Sequence, residues 1–442
     1  MSSQAVPVVY LAPLVLPVSS APIANAAVAV SGGVIRAVGP ECEVVSAYPR
    51  AQRRRWDGVL MPGLVNAHTH LQYTTFAAVG AEQYQGFEDW SVAFDNEYES
   101  RTSEDWAGAA RAGVAAGLAG GTTCFADVVT DAEALGVLVE EDVAGVAYLE
   151  LMGVHGAEWD AGTAESFRAA VEAAGSAVYQ GVGVSPHAPY SLDVPVLESA
   201  AHLARKLGRR IHLHLAESSA EDEYYRTGTG PLADLVTNVI GWKWGVLAEG
   251  GSGMRTAEFA RSLGLLGPDS HVAHGVYLDA DGRQILREQQ TAVALCPRSN
   301  RTIGLDLPPV ADYLREGGPI AVGTDSLASC PSLSLLEDVA LLRQTALEGG
   351  YPEHGVDRRL IEAATLGGAR AIGLRDRVGS LEVGKRADMA VFAVEPSVGA
   401  GESEVVRHGA RRCVGVVVGG VERDISHSPP DRAVGGDGKE RS

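Results

Sequence analysis

The segment Met61-Pro-Gly-Leu-Val-Asn-Ala-His-Thr-His70 anchors the architecture of the chain. An apolar run, Val59 to Val65, ends in two histidines two residues apart, His68 and His70. In a strand the side chains at i and i+2 share a face, so both imidazoles reach one metal ion at about 2.1 Å. Alone, such a pair reads more readily as two unrelated histidines on a surface strand. Its meaning depends on what the rest of the chain brings beside it.

The 442 residues are 46% hydrophobic and 21% charged, which describes a globular protein with a large core. The 53 glycines suit many tight turns between strands and helices. A formal charge of −20 argues against nucleic acid and anionic membrane surfaces as partners. Neither a cationic leader with an apolar core nor an apolar run near 18 residues stands out, so a cytoplasmic location is expected. Cys42, Cys124, Cys296, Cys330 and Cys413 are odd in number and lack Cys-x-x-Cys spacing. They read as buried or free thiols in a reducing compartment.

Residues 1–60 carry short strand patterns at Val8–Leu11, Ala27–Val30 and Val34–Val38, punctuated by Ser-Gly-Gly and Gly-Pro. The same style resumes near the other end, through Gly379-Ser-Leu-Glu-Val-Gly-Lys-Arg-Ala-Asp-Met and Cys413–Val418. Neither end buries a core alone, so 1–60 and 378–427 are expected to join into one small β-sandwich. A Pro-, Gly- and charge-rich tail, 428–442, is expected to be disordered.

Between them, over 61–377, strand-like and helix-like segments alternate. After Val59–His70 come Gly121–Val128, Val143–Gly153, Gly181–His187, Arg209–Glu217, His271–Leu278, Thr291–Asn300 and Ile320–Ser326. Amphipathic pieces such as Trp106–Ala119, Val194–Leu207 and Val310–Glu316 separate them. Eight strands alternating with helices predict an α/β fold, a (β/α)8 TIM-like barrel. The long gaps 71–104 and 218–254 follow strands 1 and 5, and loops after barrel strands form the active-site rim.

On that frame the polar residues converge. Strand 1 ends in His68 and His70, strand 4 in His187, and strand 5 reads His212-Leu-His214-Leu-Ala-Glu217. Strand 6 carries His271-Val-Ala-His274 and strand 8 ends in Gly-Thr-Asp325-Ser. Three neutral imidazoles and a carboxylate with an open position match a catalytic divalent metal site, filled here by His68, His70, His214 and Asp325. Without thiolates, zinc is the first expectation and ferrous iron the second. Such a metal lowers the pKa of bound water towards about 7, and Asp325 is placed to accept the proton. Glu217 is the candidate to protonate a substrate ring nitrogen, and His274 to hydrogen-bond the hydroxide or the developing tetrahedral centre. His187 is a candidate substrate contact. His212, one layer deeper than His214, reads as a packed core histidine, and His271 as structural or superficial.

Pro-Gly-Leu-Val-Asn-Ala-His-Thr-His, His-Leu-Ala-Glu, the strand-6 histidine and Gly-Thr-Asp-Ser together resemble the amidohydrolase superfamily. The resemblance is closer to its cytosine deaminase/chlorohydrolase branch, which includes methylthioadenosine/S-adenosylhomocysteine deaminases, and it covers essentially the whole chain. It implies one catalytic metal per chain, a barrel with a β-sandwich, and hydrolytic release of ammonia or another leaving group from an aromatic heterocycle. It carries metal ligation to His68, His70, His214 and Asp325, and acid/base work to Glu217 and His274. Binuclear members use a carboxylated lysine at the end of strand 4; Ser185–Tyr190 has none, so a mononuclear site is expected. A strand-3 arginine that helps hold the amino-acid carboxylate in adenosylhomocysteine deaminases has no counterpart in Tyr148–His155. The glutamate that holds ribose hydroxyls in those enzymes matches Glu97 best, with Glu99 as the alternative.

Leu295-Cys-Pro-Arg298-Ser-Asn300-Arg301 sets two arginines near the rim, where they either bind a carboxylate bidentately or pair with acids and solvent. With His68–Tyr73 and Gly86-Phe-Glu-Asp-Trp90, this is similar to aminodeoxyfutalosine deaminases of the same branch. The implied reaction converts 6-amino-6-deoxyfutalosine to futalosine in menaquinone biosynthesis. Hydroxide attacks C6, Glu217 protonates N1, and the purine stacks near Trp90 or Phe87. Methylthioadenosine or adenosylhomocysteine deamination is the alternative, followed by guanine deamination and chlorohydrolase-type chemistry. A non-catalytic binding barrel is the remote one, and it predicts lost ligands. The partner is therefore a small-molecule purine nucleoside, and the family adds a homodimer or homotetramer.

Overall fold

The computed structural model describes residues 6–177 and 182–426. His427 and the tail expected to be disordered, 428–442, lie outside the described residues. Two sheets of eight strands each organise the chain.

The first sheet is drawn from both ends of the chain. Its strands are β1 (Val8–Val15), β2 (Ile23–Ser31), β3 (Val34–Pro40), β4 (Gln52–Arg55) and β5 (Val59–Pro62). After the second sheet come β14 (Met389–Phe392), β15 (Cys413–Val418) and β16 (Val421–Arg423). The order is β16-β15-β14-β5-β1-β2-β3, with β4 paired to β1. β5 therefore joins the two ends, lying antiparallel to β14 and parallel to β1. Its alternation explains an otherwise unbroken apolar run. Met61 packs with Ala390 and Phe392 into the large core, whereas Leu60 packs with Met389 and Val391 into a smaller one. A strand buried on both faces has no polar face to show.

The second sheet is the barrel. Its strands are β6 (Leu64–Thr69), β7 (Thr122–Val129), β8 (Ala144–Leu151), β9 (Val182–Pro186), β10 (Ile211–Leu215), β11 (Ser270–His274), β12 (Ala292–Leu295) and β13 (Ile320–Val322). They follow in chain order and pair in parallel. The ring closes between β13 and β6. Asp325 N donates to His68 O at 3.0 Å, and the Asn66 side chain accepts from Thr324 N and donates to Thr324 Oγ1. Closure thus runs through the residues flanking the predicted metal ligands.

Two segments differ in kind from the sequence expectation. Val59–His70 is two strands, not one: at Gly63 the chain leaves the first sheet, where its N–H donates to Asp388 O, and enters the barrel, where Leu64 N donates to Gly121 O. A Cβ on Gly63 would lie 2.0 Å from Thr123 Oγ1, so only glycine allows the crossing. Thr291–Asn300 is strand only to Leu295. Pro297 opens a helix, Pro297–Ile303, as proline does at a first helical position.

The long gap after β6 contains a helix, Phe87–Ser100, and the gap after β10 contains Ala220–Thr227 and shorter turns. Cys124, Cys296 and Cys330 are buried free thiols. No described helix is long and apolar enough to cross a membrane.

Candidate active site

His68 in β6, His70 just after it, His214 in β10 and Asp325 just after β13 meet at one end of the barrel, all buried. The ring nitrogens of His68, His70 and His214 that could hold a metal lie within 4.8 Å of one another, as do donor atoms of His68, His274 and Asp325. Asp325 Oδ1 lies 3.4 Å from His68 Nε2 and 3.7 Å from His70 Nε2. His70 Nε2 and His214 Nε2 face each other at 3.3 Å.

The hydrogen bonds behind these rings fix where the protons are. His271 Nε2 donates to Ala67 O, and His212 Nδ1 donates to His271 O at 3.1 Å. The Nε2 of His212 is then an acceptor, and it lies 2.7 Å from His68 Nδ1. The proton of His68 is therefore on Nδ1, and its Nε2, which has no hydrogen-bond partner, presents a lone pair. His214 Nδ1 likewise donates to His187 O at 3.0 Å, leaving its Nε2 lone pair towards His70. Burial pushes His214 down to about 4 and lowers His70, His187 and His274 well below the usual range. These imidazoles are neutral. Burial raises the Asp325 carboxyl, whereas any proton carried by His68 first, then His70 or His274, lowers it well below the usual range; with these rings neutral, its own hydrogen-bond donors hold the anion. Ser299 Oγ, Ser329 Oγ and Ser326 N all donate to its oxygens at 2.7–2.8 Å. Converging neutral lone pairs beside one anionic carboxylate are costly without a cation between them. The set of three nitrogens and one oxygen fits a divalent metal.

Glu217 follows β10. Burial raises its carboxyl well above the usual range, with Asp325 and Glu221 adding to the shift, so it holds a proton. Its Oε1 lies 3.5 Å from His274 Nε2, a buried atom without a hydrogen-bond partner. Asn300 Nδ2 approaches His274 Nδ1 at 3.2 Å as donor, leaving the Nε2 proton directed at the site. Glu221 holds the Glu217 turn by accepting the N–H groups of Ala216, Glu217 and Ser218. His274 and Asp325 both sit at left-handed φ, 72° and 62°. That region is sparsely used by residues other than glycine, and such strain concentrates at functional sites.

A cavity of about 350 Å³ opens onto these residues. His70, His187, His214, Glu217 and Asp325 line its inner part. Both long gaps supply its wall: Phe87, Trp90, Phe94 and Tyr98 come from the first, Leu232, Leu235 and Trp242 from the second. Phe87 and Trp90, the expected stacking residues, are both there.

Two expectations need correction. Arg298 does not reach the cavity: its side chain is 4% exposed and sits on Asp338 (2.7 Å), Glu337 and Ser332. As the second residue of the helix that Pro297 opens, it is turned into the protein and cannot meet substrate. Glu97 pairs with Arg101 and does not line the cavity, whereas Glu99, the alternative, does. Arg301 is exposed and is absent from the cavity wall.

Sequence reading passed over Glu221, the serines on Asp325, and Glu150 in the cavity wall. Ser218-Ser-Ala-Glu221 has the spacing of a helix capping box and was the available signal for Glu221. Nothing in the sequence marked Ser299 and Ser329, which come from the helix Pro297–Ile303 and from the loop after β13.

The family model described as "Amidohydrolase family" matches residues 59–423. A 5-methylthioadenosine/S-adenosylhomocysteine deaminase of Symbiobacterium thermophilum is 29% identical over 387 residues, 84% of this chain and 81% of that one. An aminodeoxyfutalosine deaminase of Deinococcus radiodurans is 28% identical over 375 residues, 79% of this chain and 81% of that one. The crystal structure of Helicobacter pylori aminofutalosine deaminase in complex with methylthio-coformycin superposes with a TM-score of 0.82 at 21% identity, covering 94% of this chain and 100% of that one. The chain belongs to the amidohydrolase family.

Proposed function

We propose that this amidohydrolase removes the 6-amino group of an adenine nucleoside, with water supplying the 6-oxo oxygen and ammonia leaving. The observation that carries this reading is the pairing of two unlike carboxyls. Asp325 is ionised among the histidines, and protonated Glu217 lies 3.5 Å from His274 on the same cavity floor. Carboxyls whose environments drive them to opposite protonation states are suited to opposite proton transfers.

His68, His70, His214 and Asp325 would hold one divalent metal, zinc first and ferrous iron second. When bound, that ion supplies Lewis acidity, making water nucleophilic near neutral pH. Asp325 takes the proton released by the water and later delivers it to the leaving ammonia. Glu217 gives its proton to N1 of the purine, which localises the ring's electron deficiency at C6, and takes back the C6 hydroxyl proton as the 6-oxo group forms and ammonia leaves. His274 donates from Nε2 to the oxygen arriving at C6, and His187 faces the substrate from β9. Phe87 and Trp90 supply the apolar wall for the base, and Glu99 is placed for the ribose hydroxyls.

The relatives' names support an adenosine core and divide over its 5′ substituent, between methylthioadenosine/adenosylhomocysteine and aminodeoxyfutalosine. The sequence expectation of aminodeoxyfutalosine leaned on Arg298, which is engaged with Asp338. Purified, zinc-loaded protein offered adenosine, methylthioadenosine, adenosylhomocysteine and aminodeoxyfutalosine tests the reading. Loss of the adenine absorbance with ammonia release is the expected result. No change with any of the four overturns it.

A further inference from the structure

The wall of the cavity is aromatic and acidic at once. On the helix Phe87–Ser100, Trp90 and Phe94 pack with ring centroids 5.4 Å apart, and Asp95 and Glu99 from the same helix also line the space. From the end of β8 comes Glu150. Among the described residues, no lysine or arginine lines this cavity. The arginines near it in sequence are engaged elsewhere: Arg101 with Glu97 and Glu104, Arg298 with Asp338 and Glu337.

Glu150 is the most constrained of the three acids. Its Oε2 accepts from Thr130 Oγ1 at 2.6 Å, and Thr130 Oγ1 in turn lies 2.8 Å from the Tyr73 hydroxyl. Its Oε1 is buried and has no hydrogen-bond partner. Burial raises this carboxyl to about 7, and once ionised above that pH it is stabilised by any donor that a ligand brings and opposed by another carboxylate.

In adenine the reacting C6 and the sugar-bearing N9 lie on opposite edges of the ring system. With C6 at the histidine cluster, the sugar and its 5′ substituent extend along the aromatic and acidic wall. Resting on the functional reading above, we infer that this chain selects its nucleoside by charge at the 5′ end. It accepts an apolar group that is neutral or carries a hydrogen-bond donor, it disfavours a carboxylate there, and Glu150 is the residue that reads the difference. The protein's overall charge of −20 acts in the same direction on approach.

A matched pair tests this: 5′-S-(2-carboxyethyl)thioadenosine and its carboxamide, nearly equal in size and different in charge. With zinc-loaded protein, kcat/KM is expected to favour the amide by about tenfold or more, as one like-charge contact commonly costs. Glu150→Gln is expected to narrow that ratio, which a merely structural role for Glu150 would leave unmoved. Calorimetric binding of the same pair reads the preference independently of turnover. Should Glu150→Gln not fold, Glu150→Met replaces it, and the same narrowing is expected. An acid that binds and reacts as well as its amide overturns the inference, as does a ratio unchanged in the variants. Charge preference in binding without turnover of either compound, or of methylthioadenosine, instead overturns the functional reading.

Discussion

His68 Nδ1 lies 2.7 Å from His212 Nε2, and that one contact decides which nitrogen of His68 is free to bind a metal. His212 is itself fixed by its bond to His271 O, so the proton order runs from the barrel interior outward to the site. Replacing His212 with Phe keeps a ring of similar bulk and removes the acceptor. We expect zinc affinity to fall by about 10- to 100-fold, as for other residues that orient a metal ligand. Competition with a chromophoric chelator measures this, and an unchanged affinity contradicts it.

Metal retention should persist to unusually low pH. Protons compete with metal for imidazole, and a free histidine begins to lose that competition near pH 6.5. Burial holds His214 down at about 4, so its lone pair stays open at pH 5 and closes only as pH falls through about 4. Metal content after dialysis at stepped pH should therefore fall near 4. A fall centred at 6.5 would show that the site is not shielded.

Glu217→Gln removes the transferable proton while leaving the ligand set intact. A loss of about 10²- to 10⁴-fold in kcat is expected, the usual contribution of a positioned acid. Elemental analysis should find metal content unchanged. Parallel loss of metal would place Glu217 among the ligands.

Arg298 separates a structural from a binding role. Arg298→Ala strands Asp338, which is fully buried, and should cost about 3–5 kcal/mol of stability. Denaturant unfolding reads that loss. A stable variant with a raised KM would return Arg298 to the substrate.

Gly323 sits where strand 8 passes strand 1. A Cβ there would lie 2.8 Å from both Cys296 Sγ and His68 Cβ, closer than a side-chain carbon tolerates. Gly323→Ala should cost about 1–3 kcal/mol by overpacking and weaken metal binding through displaced His68. Thermal unfolding with and without zinc checks both effects.

Much of this was legible before any coordinates. His68 and His70 end an apolar strand, and the alternation that follows places His214, His274 and Asp325 at equivalent strand ends. Position along a strand sets which end a side chain occupies, so the barrel follows from periodicity and the cluster from the barrel. What escaped was direction within irregular segments. Arg298 faces inward because Pro297 starts a helix one residue before it, and a strand reading turned it the wrong way. Glu97 and Glu99 differ only in rotation about the helix Phe87–Ser100, which the sequence read as loop. Glu150 escaped too: its segment stood out only for lacking an arginine, and the bond from Thr130 that fixes its carboxyl comes from just past the neighbouring strand.

Replacement of the 6-amino group of an adenine nucleoside by water leaves an isotopic signature. Zinc-loaded protein should be given adenosine or methylthioadenosine in ¹⁸O-labelled water and the product analysed by mass spectrometry. A 6-oxo product carrying one ¹⁸O is expected, with one ammonia released per product and no conversion after chelation. An intact 6-amino group under metal-replete conditions, or a product without the label, would contradict it.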